Sequence, residues 1–165
     1  MGMYCTLRRV TMDKLESYLE DSHKLEQDFF SNEVTQAPSL DIDKSWDGII
    51  FLLTGSSFEN AVENKMSHVI LGSASVDENQ DLGYGPARYL LPEEVKSLNE
   101  KIKAIGIEDL KLRFNPQEMK EQSVYPDIWD EQNSFDYLEE YFVKLQSFFQ
   151  HASWANEAVV IMINP

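Results

Sequence analysis

The chain has little cysteine and no long apolar run, and both shortages limit what it can be. Its 165 residues include one cysteine, Cys5, which excludes an internal disulfide, a multi-thiolate zinc site and a two-cysteine redox motif. The longest apolar run, Ala158–Ile163, is far shorter than the ~20 residues that span a bilayer. No secretory signal is recognisable at the start. We therefore expect a soluble, cytoplasmic protein without a membrane partner.

The motifs of common enzyme classes are also missing. The sequence contains no phosphate-binding loop, dinucleotide-binding glycine motif, nucleophile elbow or paired-histidine zinc motif. Its three histidines, His23, His68 and His151, are far apart in the sequence, which is more typical of surface or packing roles than of catalysis. We expect no metal and no cofactor. No catalytic residue can be assigned, so the sequence leaves open whether the protein is an enzyme.

Positive charge is scarce, because 14 Lys and Arg residues stand against 29 Asp and Glu residues, a net charge of −15. Nucleic acids and anionic membranes are bound through cationic side chains, so this charge disfavours both as partners. It favours a basic protein or a cationic small molecule, since complementary potentials speed encounter. Residues 107–140 alone hold ten acidic and three basic residues. Charge that only keeps the protein soluble is the plainer interpretation.

The hydrophobic pattern predicts one α+β domain over residues 1–165, a length that can bury a core without disulfide or metal. Met3–Val10 is moderately rich in β-forming residues. Ala158–Ile163 is a continuous apolar run of the kind that forms a central strand covered on both faces. Further strands are predicted at His68–Val76, where a short helix ending at Gly72 is the alternative, and at Ala87–Leu91. We expect a small central sheet, including the N- and C-terminal strands, packed against amphipathic helices.

Apolar residues at helical spacing predict the other elements. The best-formed helix runs from Asp43, its predicted N-cap, to Gly55, a left-handed C-terminal residue. Asn32–Leu40 is predicted to be a loop because it is polar and contains Pro38. A first helix is predicted after Thr11, its N-cap, with Met12, Leu15 and Leu19 on its inward face. The other predicted helices span Lys24–Phe30, Pro92–Gly106, Ile107–Phe114 and Pro116–Gln122, and a last helix has Ser134 as its predicted N-cap. The expected core residues are Trp46, Ile49, Ile50, Leu53, Leu98, Ile102, Leu138, Phe142, Leu145 and Val160.

The least generic stretch is Gly83-Tyr-Gly-Pro-Ala-Arg-Tyr89. Two glycines and a proline impose an unusual backbone path and can bring main-chain N–H groups close to a ligand. Arg88 is one of few cations, and Tyr84 and Tyr89 can help to shape a pocket around an anion or a planar group. A structural turn whose Arg88 pairs with a local carboxylate explains the same residues. The sequence leaves both interpretations open.

A second polar group surrounds the start of the Trp46 helix. Asp41, Asp43 and Asp47 could gather around a hard cation such as Mg²⁺, but an Asp before an amphipathic helix is more often its cap. We therefore assign no metal ligand. The candidate ligand-binding residues from both stretches are Asp43, Lys44, Trp46, Tyr84, Arg88 and Tyr89.

These segments together resemble the YfbM-like family of small bacterial proteins. The resemblance covers essentially the whole chain and rests on Met1-Gly2-Met3, Leu40–Trp46, Leu52–Gly55, Gly83–Leu90, Pro92–Val95, Tyr125-Pro126, Trp129 and the closing apolar strand. It implies a small cytoplasmic α+β protein. The molecular function of that family is unassigned, so the resemblance carries over no catalytic residue.

Two functions stay open at this point. The leading hypothesis is a non-enzymatic, acidic interaction protein, in its sharpest form an immunity- or antitoxin-like protein that blocks a basic toxin. The alternative is a small-molecule-binding protein or enzyme with a pocket around Trp46, Tyr84 and Arg88. Polar groups that converge on a cavity would favour the pocket, whereas a flat acidic surface would favour the protein partner.

Overall fold

The structure, a computed structural model, describes residues 2–31 and 38–165 and is built around one five-stranded sheet. The strands are β1 (Tyr4–Val10), β2 (Ser39–Asp41), β3 (Ala74–Ser75), β4 (Arg88–Leu90) and β5 (Ala158–Asn164). Their order is β2-β1-β5-β4-β3, and every pairing is antiparallel. The protein is therefore α+β, as predicted.

The C-terminal strand β5 lies at the centre of the sheet. It pairs with β1 along its whole length, from Tyr4 opposite Asn164 to Val10 opposite Ala158, and with β4 on its other side. Its side chains alternate between two separate apolar clusters, one on each face of the sheet. This confirms the prediction of a central strand covered on both faces, the setting in which strands are apolar without alternation.

Nine α-helices lie within the described residues. They are α1 (Met12–Glu20), α2 (Ser22–Phe30), α3 (Trp46–Thr54), α4 (Phe58–Ala61), α5 (His68–Leu71), α6 (Pro92–Ile102), α7 (Ile107–Arg113), α8 (Pro116–Glu121) and α9 (Ser134–Trp154), and a 3-10 turn at Lys65–Ser67 precedes α5. None of these helices is both long enough and apolar enough to cross a bilayer.

The larger core lies between one face of the sheet and helices α3, α6 and α9. All ten predicted core residues are buried. Helix α3 is buried from Trp46 to Leu53, which explains why it has apolar residues on every side, with Asp47 as the charged exception. A Cβ at Gly48 would lie 2.6 Å from the Trp129 ring and 2.7 Å from Leu138, so this glycine permits the close approach of α3 to these two side chains.

Helices α1 and α2 cover the other face of the sheet. Thr11 caps α1 as predicted, since its hydroxyl accepts from the Lys14 N–H at 3.2 Å. Of the residues predicted to face inward, Leu19 is wrong: it is 41% exposed, and its neighbour Tyr18 is buried instead. The Tyr18 hydroxyl donates to Asp28 on α2 at 2.6 Å, a contact between helices that apolar spacing cannot reveal.

Two predicted segments need correction. Residues 32–37 of the predicted Asn32–Leu40 loop lie outside the described residues, but Ser39 and Leu40 belong to strand β2, paired with β1. The predicted His68–Val76 strand is wrong in its first half, where α5 forms a short helix that ends at Gly72. The sequence alternative of a helix ending there is confirmed, and only Ala74–Ser75 joins the sheet.

Two predicted helix caps are also wrong. Asp43 lies outside α3 with a positive φ of 53°, and the N-cap position is Ser45. Ser134 is the first residue of α9, and Asn133 precedes it with φ 67°. The Ser134 hydroxyl donates to the Trp129 carbonyl at 2.9 Å, so it fixes the preceding loop and does not cap the helix.

Candidate functional site

A cleft of about 560 Å³ opens on the face of the sheet that carries the larger core. Its walls come from α3, α4, α5, strands β4 and β5, and the turn at residues 84–86. Clefts that bind small molecules in proteins have volumes of about 300–1,000 Å³. The cleft therefore has the size of a ligand site and draws on distant parts of the chain.

The inner end of the cleft is aromatic and fixed in place. Trp46 is 1% exposed, and its indole N–H donates to the Met3 carbonyl at 2.9 Å. Its ring meets that of Phe58 edge to face, with 5.2 Å between centroids. Ile70 and Ile161, both buried, contribute the adjoining aliphatic wall. A ligand would meet a wall that is already formed.

Arg88 supplies positive charge to the lining. It lies directly opposite Ile161 in the β4–β5 pair, and because directly opposite residues of an antiparallel pair point to the same face, both side chains lie on the cleft face. The Arg88 Nε–H donates to the Leu71 carbonyl at 2.8 Å, and a terminal N–H donates to the Ser75 hydroxyl at 2.8 Å. Leu71 ends α5, so Arg88 satisfies a carbonyl that the helix leaves unpaired.

The guanidinium of Arg88 is only partly used by the protein. A guanidinium has five N–H donors, and two of those of Arg88 have acceptors within residues 2–31 and 38–165. In the same residues Arg88 forms no ion pair. The partners of Arg88 in this part of the chain are a carbonyl and a hydroxyl, so the interpretation in which it pairs with a local carboxylate is wrong.

The glycine-rich turn forms the mouth of the cleft. Tyr84, 44% exposed, lies between Gly83 and Gly85, whose φ angles of 120° and 96° suit glycine. Asp81 holds this turn, since one carboxylate oxygen accepts from the N–H of Gly83 at 2.9 Å and of Gly85 at 3.3 Å. These N–H groups are thus engaged by the protein, which agrees with the interpretation of the stretch as a structural turn.

His68 lines the cleft from α5, although the sequence gave no reason to select it. The same residue borders a smaller pocket of about 300 Å³ beside α6. Burial lowers the pKa of His68, and the nearby Arg88 and Lys65 lower it further against the opposing effect of Glu94. The imidazole is therefore neutral at pH 7.

Three of the six predicted site residues meet in this cleft and three do not. Trp46, Tyr84 and Arg88 all line it. Tyr89 follows Arg88 in β4, so its side chain lies on the opposite face of the sheet, against the smaller core. Asp43 lies apart from the cleft as well.

Asp43 and Lys44 belong to a polar contact beside α9. The Tyr137 hydroxyl donates to the Asp43 carboxylate at 2.6 Å and accepts from the Lys44 N–H at 3.1 Å. The Lys44 ammonium lies over the Tyr4 ring, 5.2 Å from its centroid. Burial and the Asp43 hydrogen bond raise the pKa of Tyr137 above its usual range. This group fixes the positive-φ turn before α3.

The carboxylates considered for a cation have separate partners. Asp47 is fully buried, and its two oxygens accept from the N–H groups of Phe58 at 2.7 Å and Tyr125 at 2.8 Å. Asp41 accepts from the Asp43 N–H at 2.7 Å. In the described part of the chain, no group of three or more His, Cys, Asp or Glu residues is placed to hold a metal ion.

Comparison with known proteins places the chain in a family. A family model described as a domain of unknown function, DUF1877, matches residues 1–162. The chain belongs to this family. It is also 26% identical to Protein YfbM of Escherichia coli (strain K12) over 129 residues, which are 78% of this chain and 75% of that protein. The resemblance seen in the sequence is thereby confirmed.

The fold is shared with a solved structure of that relative. The crystal structure of YfbM from Escherichia coli, described as a protein of unknown function, superposes with a TM-score of 0.75 at 21% identity. The match covers 97% of this chain and 99% of the other. It shows a common fold and assigns no activity.

Proposed function

We propose that this protein binds a small molecule in the cleft lined by Trp46, Tyr84 and Arg88. The observation that carries the proposal is their convergence. The three residues were predicted from their chemistry, Trp46 and Arg88 are 42 positions apart in the sequence, and all three line one cavity of about 560 Å³. An apolar cavity with a few polar groups is the usual form of a ligand site.

The walls support the proposal because they are held before any ligand arrives. Trp46 is fixed by the Met3 carbonyl, and Arg88 is fixed by the Leu71 carbonyl. Phe58 is held by the Asp47 carboxylate through its backbone N–H. Ordering side chains on binding costs free energy, so a wall that is already ordered favours affinity.

Native mass spectrometry of the protein purified from cells of its own organism tests this function. Val62 lines the cleft and is 57% exposed, so Val62→Trp should fill the mouth without disturbing the core. Val143→Trp is the matched control, because Val143 is 48% exposed on α9. We expect a bound small molecule on the wild type and on Val143→Trp, and its loss from Val62→Trp. Equal occupancy of all three proteins, or none on any, contradicts the proposal.

A second function, recognition of a basic protein, has an observation of its own. Nine of the ten acidic side chains in residues 107–140 are exposed, and the stretch also exposes an apolar residue, Leu112, to 87%. A basic partner would gain from complementary potential there. The immunity- or antitoxin-like hypothesis is one form of this function. The cleft has the stronger support, because exposed acidic charge also serves solubility alone.

A further inference from the structure

The charge of the cleft lining differs from that of the whole chain. Among the described residues that line it, Arg88 is the one with a formal charge at neutral pH, and no Asp or Glu is present. The chain as a whole has 29 acidic residues and a net charge of −15. A cavity free of carboxylates around one guanidinium is therefore a local exception to the acidic character of the protein.

The guanidinium also has unused hydrogen-bonding capacity. Its bonds to Leu71 and Ser75 fix its position and leave three N–H donors without an acceptor in the described residues. No nitrogen of Arg88 is among the buried side-chain atoms that lack a partner in the described residues, so these donors are accessible to a ligand. A guanidinium matches the two oxygens of a carboxylate with parallel hydrogen bonds.

The rest of the lining is suited to an apolar body. Trp46, Phe58, Ile70, Ile161 and Ile163 present aromatic and aliphatic surface. Burial of apolar ligand surface there would contribute about 25 cal/mol per Å² before the costs of association. The apolar wall and the single cation together require an amphiphilic ligand.

We propose that the ligand is an amphiphilic monocarboxylate, with an apolar body against Trp46 and Ile161 and a carboxylate bound by Arg88. This inference rests on the proposed function and names its ligand class. One cation balances one carboxylate, whereas a phosphate monoester carries up to two charges near neutral pH and would leave one unbalanced. A cationic amphiphile is repelled by Arg88.

Calorimetric titration with octanoate, 1-octanol and octylamine tests the ligand class, because these probes share a chain and differ in the head group. We expect octanoate to bind the wild type about tenfold or more tighter than 1-octanol, since a charge-assisted hydrogen bond exceeds the free energy of a tenfold change in affinity. Octylamine should bind weakest. Arg88→Met should remove the preference for octanoate and keep the affinity for 1-octanol, which also shows that the variant is folded.

Arg113→Met is the matched control. Arg113 also donates to a backbone carbonyl, that of Leu52 at 3.1 Å, but it lies outside the cleft lining. This variant should keep the octanoate preference. If Arg88→Met does not fold, Arg88→Lys decides: it keeps the charge without the paired donors, so a reduced preference supports the proposal and an unchanged one contradicts it.

The results separate the ligand class from the function. A wild type that binds 1-octanol as tightly as octanoate contradicts the carboxylate and leaves small-molecule binding in the cleft standing. A wild type that binds none of the probes contradicts the ligand class, while the occupancy measured by native mass spectrometry judges the function independently. Equal loss of preference in Arg88→Met and Arg113→Met also contradicts the proposal.

Discussion

The Asp47 carboxylate accepts a hydrogen bond from the backbone N–H of Tyr125, 78 positions along the chain, at 2.8 Å. Its other oxygen accepts from the N–H of Phe58 at 2.7 Å. Asp47 thereby joins α3 to α4 and to the loop before α9, and Phe58 forms part of the cleft wall. A buried carboxylate thus supports the cavity without touching it.

The first prediction follows from the ionisation of Asp47. Burial raises the pKa of Asp47 to about 6, against the opposing effect of the two N–H donors. Between its unfolded pKa near 4 and about 6, the folded state binds more protons, so this group makes the free energy of unfolding fall as pH rises. Asparagine does not titrate. The free energy of unfolding of the wild type minus that of Asp47→Asn should therefore fall by up to about 3 kcal/mol from pH 4 to pH 7.

Asp77 supplies the opposite control for this measurement. Hydrogen bonds from the Ser22 hydroxyl and the Asn79 N–H lower the pKa of Asp77. The free energy of unfolding of the wild type minus that of Asp77→Asn should therefore rise with pH up to about pH 4. Urea unfolding of the three proteins across pH measures both slopes. A flat difference for Asp47→Asn would show that the carboxylate is not held in a buried site.

The second prediction concerns Gly72, which separates α5 from β3. Its φ of 65° and ψ of 177° are accessible only to glycine without strain. An added Cβ would lie 2.8 Å from the Arg88 Cβ and 3.0 Å from the Tyr89 nitrogen. Gly72→Ala should destabilise by about 3 kcal/mol through backbone strain and this contact.

Gly55→Ala is the control for Gly72→Ala. Gly55 has a φ of 81°, but nothing lies within 4 Å of its added Cβ. That change should cost about 1–2 kcal/mol, the strain of the left-handed conformation alone. Thermal unfolding of both variants provides the comparison, and equal losses would show that the tight contact at Gly72 is not there.

The third prediction tests the core with one substitution at two leucines. Leu145 on α9 is fully buried, whereas Leu112 on α7 is 87% exposed. Leu145→Ala should destabilise by about 2–5 kcal/mol, because it removes buried methyl groups and leaves a cavity. Leu112→Ala should change stability by no more than about 0.5 kcal/mol. Similar losses at both positions would mean that the inward face of α9 is assigned incorrectly.

Sequence patterns predicted the elements whose burial follows a regular period. The apolar run Ala158–Ile163 is central in the sheet, and Leu138, Phe142 and Leu145 on α9 are buried as their spacing predicted. Strand β2 escaped prediction because its three residues, Ser39–Asp41, are too few to establish a period and are defined by pairing with β1. Short elements of this kind depend on their neighbours more than on their own residues.

The candidate site was predicted in part, for a related reason. Trp46, Tyr84 and Arg88 could be selected from local chemistry. Asp43 and Tyr89 could not be excluded, because their direction depends on a turn and on the strand register. For His68 the sequence offered one indication, Gly72, because a glycine there predicts the end of a short helix that carries this histidine.

The fourth prediction concerns the acidic residues 107–140. If a basic partner binds there, its association should weaken as salt rises, because charges separated by more than ~8 Å are screened at physiological ionic strength. Reversing Asp130 and Glu139 to Lys should slow association and leave the fold intact. Reversing Glu20 and Glu78, which are exposed elsewhere, makes the same change of net charge as a control. Equal slowing by both pairs would indicate net charge and not a specific surface.

Binding within the cleft is tested most directly by isoleucine methyl NMR during titration with octanoate. The chain has ten isoleucines, of which Ile70, Ile161 and Ile163 line the cleft. We predict that the methyl resonances of these three shift with octanoate, while those of isoleucines outside the cleft lining, such as Ile105 and Ile128, shift less. Unchanged resonances of the three cleft isoleucines, at octanoate concentrations that saturate the calorimetric signal, would contradict binding of octanoate in the cleft.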